Sequence, residues 1–193
     1  MSDEVVFTPD RAALMAELAR LAFEASQLAA PLDDARFNWQ PVGGKGWSVG
    51  QCLDHLVRTN RCYLDALEEA ARAAERNEGR CDPAPFEPGR VGRWFIGTME
   101  PPAKTKYKAV KKTIPPSRCS KEPTLIAFAG EQQRLIELVR DTACLDCNSV
   151  RFKNPLAYGL RMFNLSTGML VLAAHERRHL WQAKNVVAMM PPA

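Results

Sequence analysis

Residues 165–187 read LSTGMLVLAAHERRHLWQAKNVV. Within this stretch Leu165, Gly168, Leu172, His175, His179, Gln182 and Val186 recur at alternating steps of three and four. That spacing is a heptad seam, the stripe a helix turns toward the core of a bundle. Arg177 and Lys184 fall on the other side of the helix. The pattern predicts a helix that begins near Asn164 or Ser166 and closes near Val187. It also predicts that both histidines face inward.

Upstream, three more segments carry helical periodicity. Thr8 followed by Pro9 reads as an N-cap with proline at the first helical position. Leu14, Leu18, Leu21, Ala25 and Leu28 then recur at helical spacing, so a helix is expected over residues 9–30, stopped by Pro31. After the Gly- and Pro-punctuated stretch LDDARFNWQPVGGKG comes WSVGQ, residues 47–51. Ser48 and Gln51 there have the spacing of a capping box. Leu53, Leu56, Asn60, Leu64 and Leu67 form one side of the helix that follows, and Asp54, Arg58, Arg61, Asp65 and Glu69 form a charged one. This helix is expected to last to about residue 77, with Gly79 as terminator. A third is expected from Pro123 or Thr124 to about Thr142, with Leu125, Phe128, Leu135, Leu138 and Val139 on its apolar side.

Residues 79–123 differ in composition. They hold eight of the fourteen prolines, and from Arg90 to Lys121 there are nine Lys or Arg against one acid, Glu100. This segment reads as a solvated basic crossover rather than a regular core helix, with Trp94 to Ile96 and Tyr107 to Val110 packing down locally. No strand pattern is strong enough to build a sheet. The expected fold is therefore all-α: a single domain over residues 1–193, a four-helix bundle with a long Pro-rich, basic crossover between its second and third helices.

Bulk properties agree. Of 193 residues, 46% are hydrophobic, enough for a core without staples. The net charge of +4 is mild, and no nucleic-acid-reading motif is present, so nucleic acid is not an expected partner. No stretch approaches the roughly eighteen apolar residues of a membrane span. MSDEVVFTPDR carries acids and lacks the basic-then-apolar order of a secretory signal, and MMPPA is no prenylation motif, so a cytoplasmic protein is expected. In that compartment the six cysteines are expected to be reduced. Cys144 and Cys147 form a CLDC with no second C-x-x-C, and they read as two free thiols at a helix end.

The chain has three histidines, His55, His175 and His179. HERRH, residues 175–179, satisfies the zinc-protease pattern H-E-x-x-H. That pattern needs a third protein ligand, which zincins take from further along the chain. Here LWQAKNVVAMMPPA follows His179 and offers no His, Asp, Glu or Cys. The protease reading loses its support, yet a pair of histidines one turn apart on a core seam can still share a metal. The alternative is a pair of hydrogen-bonded core histidines. A third histidine ligand would have to be His55 on the second helix. Its angular position fits a cleft inside the bundle and a boundary site equally well. Glu176 is a tempting general base, but it lies about 100° around the helix from His175. A surface or outer supporting glutamate is the expected role, with Asn60 and Gln182 as polar neighbours of the site.

WSVGQCLDHLVRTN (residues 47–60), PPAKTKYKAVKKTIPPS (101–117) and NPLAYGLRMFNLSTGMLVLAAHERRHLWQAKNV (154–186) resemble, in this order, segments of the DinB-like superfamily. That superfamily includes YfiT-like proteins regarded as metalloenzymes. The resemblance runs from about residue 9 to 187 and takes in all three histidines. It implies a four-helix bundle in which His55, His175 and His179 hold a divalent metal, zinc or nickel, with open positions left for water. Several relatives are transferases or isomerases that use low-molecular-weight thiols; others have no known activity, and some lack the histidines. The expectation is a metal-dependent enzyme acting on a small-molecule substrate, thiol S-transferase-like, with a low-molecular-weight thiol as a further cofactor. The alternatives are a metal-dependent hydrolase and a non-catalytic, stress-associated metal-binding bundle. The resemblance names no catalytic residue for this chain. Pairing of two copies through exposed helix faces, common in such bundles, is a last expectation.

Overall fold

The computed structural model describes residues 10–41, 44, 46–74, 85–103, 107–157 and 159–192. Among them it is all-helical, with one isolated antiparallel bridge between Arg151 and Asn164. The four expected long helices are present as α1 (Arg11–Ala29), α3 (Val49–Ala73), α5 (Lys121–Asp141) and α6 (Leu165–Ala188). Two further helices, α2 (Asp34–Phe37) and α4 (Arg90–Met99), lie in the connections. No described helix is long and apolar enough to cross a membrane.

Each start has a local cause. Asp10 caps α1, its Oδ1 accepting from the Ala13 amide at 2.7 Å. The expected Thr8–Pro9 cap lies outside the described residues. At α3 the capping box forms as expected: Ser48 Oγ accepts from the Gln51 amide and Gln51 Oε1 from the Ser48 amide, each at 3.1 Å. Helix α3 stops at Ala73, where Ala74 turns extended, four residues short of the expected end; Gly79 lies outside the described residues. Asn164 caps α6, accepting from the Thr167 amide at 2.9 Å.

The connections hold more structure than their composition suggested. In α2, Asp33 caps a single turn that buries Phe37 against the start of α3. Gly50 makes that contact possible, since a Cβ there would sit 2.7 Å from the Phe37 ring. The crossover, expected as a loop that packs down locally, contains α4 around the expected apolar piece Trp94 to Ile96. Residues 90–99 lack proline, and Gly92, Ile96 and Met99 form a narrow buried face against α6 while Arg90 and Arg93 stay exposed. The CLDC reading is also corrected: Cys147 is a buried free thiol, but Cys144 is disulfide-bonded.

In the bundle, α3 packs on α5 and α6, and α1 packs on the same two helices. The core falls into two apolar halves. Leu14, Leu18, Leu64, Leu67, Leu135 and Leu172 belong to one, and Leu21, Leu53, Leu56, Phe128, Leu180 and Ala183 to the other. Each such leucine, fully buried, contributes about 1.5–3 kcal/mol. Between the halves in sequence on α3, α5 and α6 stand Asn60, Gln132 and Glu176, all buried. Asn60 Nδ2 donates to Glu176 Oε1 at 2.7 Å and Gln132 Nε2 to Glu176 Oε2 at 2.8 Å, a polar layer that ties three helices together.

Candidate metal centre

The α6 seam carries His175 and His179 inward, and His55 of α3 meets them. The ring centroids lie 5.1 Å (His55–His175), 4.7 Å (His55–His179) and 4.5 Å (His175–His179) apart. The ligand atoms they offer all lie within 4.8 Å of one another. His55 and His179 are buried and His175 is half-buried. The question that periodicity left open for His55 is therefore answered: it faces the other two histidines.

Two of the rings are held by their outer nitrogens. His55 Nδ1–H donates to the Thr113 carbonyl at 2.7 Å, and His179 Nδ1–H to Gln182 Oε1 at 3.0 Å. In those tautomers both Nε2 atoms carry lone pairs, the usual arrangement behind a metal-ligating histidine. Nε2 of His55 lies 3.3 Å from Nε2 of His175. Two nitrogens bound tetrahedrally at zinc distances lie about 3.3 Å apart, so this pair is already at ligand spacing. His175 Nδ1 is buried with no hydrogen-bond partner, an incomplete arrangement for a polar core but no obstacle to ligation through Nε2.

The electrostatics keep the rings neutral, as ligation requires. Burial pushes the His179 pKa down to about 3, with His55 and Arg178 adding to the shift and the Gln182 hydrogen bond opposing it. His175 is held well below its ordinary value by burial, then by His179, His55 and Arg178. Burial also lowers His55, against the Thr113 carbonyl and Asp54. The donor set, its spacing and its charge state all fit a divalent metal ion.

The three histidines line a cavity of about 680 Å³. Its other walls come from α4, from the crossover around Tyr107 to Thr113, and from the connection before α6. The indole of Trp47 lies 4.7 Å from the His55 ring and stacks 5.7 Å from that of His179. Tyr63 reaches the same space, its hydroxyl accepting from Asn154 Nδ2 at 2.9 Å.

Glu176 is not a surface residue. It is fully buried and points at Asn60 and Gln132. Burial raises its pKa to about 8, against the lowering effect of those two amides. Its hydrogen bonds make it part of the bundle's polar layer, and it does not line the cavity. Of the two polar neighbours expected, Gln182 touches His179 and Asn60 touches Glu176. Sequence reasoning missed Thr113, which acts through its carbonyl and so has no residue-type signal. It also passed over Arg178, whose place between the two histidines of HERRH put it within reach.

Comparison with known proteins agrees with this architecture. A family model described as the DinB superfamily matches residues 9–183. No curated protein and no solved structure matches the chain. The match takes in α1, the first histidine helix, the crossover and the histidine pair of α6 in a single span, and on it the chain belongs to the DinB superfamily.

Proposed function

We propose that His55, His175 and His179 hold a divalent metal ion, zinc or nickel, and that the protein is a metal-dependent enzyme acting on a small molecule. The observation that carries this reading is the convergence of three neutral imidazoles on the wall of a cavity large enough for substrate. When bound by three neutral ligands, such an ion supplies its full positive charge to the cavity, which favours the ionised form of a thiol or a water molecule. The chain's own residues do the positioning. Thr113 and Gln182 fix the His55 and His179 rings, and Trp47 covers them from one side. Tyr63, Phe95, Leu172 and Trp181 give the cavity apolar walls that limit water near the histidines.

The proposed reaction class is transfer to or from a low-molecular-weight thiol. The cavity supports an enzyme over a bundle that merely stores metal, since a closed site would need no such space. The test is turnover of the metal-loaded protein with a panel of small thiols and electrophiles, run beside a panel of esters. Thiol-dependent turnover that a chelator abolishes and zinc or nickel restores is the expected result. Ester hydrolysis without thiol would replace the transferase by a hydrolase. Turnover indifferent to chelation would remove the metal from the reaction.

A further inference from the structure

The cavity beside the histidines has an uneven charge. Arg178 and Lys108 line it, and among its described lining residues there is no Asp or Glu. Arg178 is only 9% exposed. It follows His175 by three residues and precedes His179 by one, so it stands on the same turn of α6 as both. The crossover helps to fix its guanidinium: Nη1 donates to the Thr98 carbonyl at 3.1 Å, and the group lies 5.6 Å from the centre of the Tyr107 ring. Phe95, Met99, Leu156, Phe163 and Trp181 line the same cavity and supply its apolar wall.

We propose that this cavity selects an amphipathic organic anion, its carboxylate or phosphate head against Arg178 and its apolar body against the aromatic wall. The reasoning is one of charge and shape. A guanidinium held in a low-dielectric wall interacts far more strongly with an anion than one in water. Carboxylate and phosphate oxygens make the strong, charge-assisted contacts that such a cation favours. With two cationic side chains and no acid among its described lining residues, the cavity repels cationic ligands and leaves neutral ones without a charged partner. The inference rests on the reading of this cavity as the substrate site, and it narrows the substrate class.

The test uses the full-length protein, both chelator-treated and zinc-loaded, and follows quenching of the fluorescence of Trp47 and Trp181, which line the cavity. The probes are 4-phenylbutyrate, 3-phenylpropyl phosphate and the neutral 4-phenylbutanamide. The expected result is binding of at least one anion about tenfold or more tighter than the amide, in both forms of the protein. Arg178→Met should erase that preference, and Lys108→Met should weaken it. Should Arg178→Met fail to fold, the wild-type comparison and Lys108→Met still decide. Which anion binds tighter identifies the head group. Equal binding of anions and amide, or no binding of either anion, overturns the proposal. A preference that appears only with zinc overturns it as well, because the metal and not Arg178 would then attract the anion. Conversely, a preference that persists in protein unable to hold zinc leaves this inference standing while the metal reading fails.

Discussion

At the scale of single residues, the proposed metal centre depends on how the histidines are supported. Gln182 holds His179 by Nδ1 and leaves Nε2 directed for ligation. Gln182→Ala is therefore expected to weaken metal affinity roughly tenfold to a hundredfold without abolishing binding. Competition against a chelating dye measures this; unchanged affinity would show that the hydrogen bond does not tune the site. Glu176 makes the opposite case. Its neighbours Asn60 and Gln132 also carry carbonyl oxygens, Oδ1 and Oε1, that lack partners. An amide in place of the carboxyl group can be met by flipping one of those two side chains, so Glu176→Gln is expected to keep both fold and metal. Glu176→Leu leaves one N–H of Asn60 and one of Gln132 unpaired in the core, Gln132 keeping its bond to the Leu18 carbonyl, and should cost about 2–4 kcal/mol in urea unfolding, still without loss of metal. Metal loss in Glu176→Gln would return this residue to the site. The inward direction of His175 and His179 was legible, because a seam of period 3.5 fixes a helix face. The direction of Glu176 was legible as an angle only. Whether that angle met solvent or another helix depended on where α3 and α5 pack.

At the scale of elements the sequence spoke clearly where local chemistry decides a boundary. The Ser48–Gln51 box starts α3 as its spacing predicted, and through Gln51 it also ties the crossover down, since Gln51 Nε2 donates to the Pro116 carbonyl at 3.1 Å. Ser48→Ala is expected to destabilise the protein by about 1 kcal/mol, read as a lower urea midpoint at unchanged slope. A change within error would mean that the box is redundant with the packing of Trp47 and Val49. Helix α4 was obscured by its flanks: Pro85 and Pro88 before it and Pro101 and Pro102 after it mask a short proline-free window. Its buried face is only three residues, Gly92, Ile96 and Met99, too few for a periodic signal. Gly92 lets α4 approach α6 closely, since a Cβ there would lie 2.7 Å from Thr167 Cγ2. That approach in turn brings Phe95 and Met99 to the cavity wall.

At the scale of the whole molecule, the bundle and the crossover divide the work. Helices α3 and α6 present the three histidines, and the crossover supplies the cover: the Thr113 carbonyl for His55, and Thr98 and Tyr107 for Arg178. These contacts join residues far apart in the chain, His55 and Thr113 being 58 positions apart, and no local pattern foretells them. Because a metal would bind the folded site and not the unfolded chain, its removal should lower the melting temperature of the wild type and leave that of a histidine variant where it is. In the proposed centre three histidines from two helices hold one ion. This is tested most directly by the metal content of purified wild type, His55→Ala, His175→Ala and His179→Ala after exposure to zinc or nickel. About one ion per wild-type chain is expected, with loss of the tightly held ion in each variant. Full metal content in all three variants would contradict it.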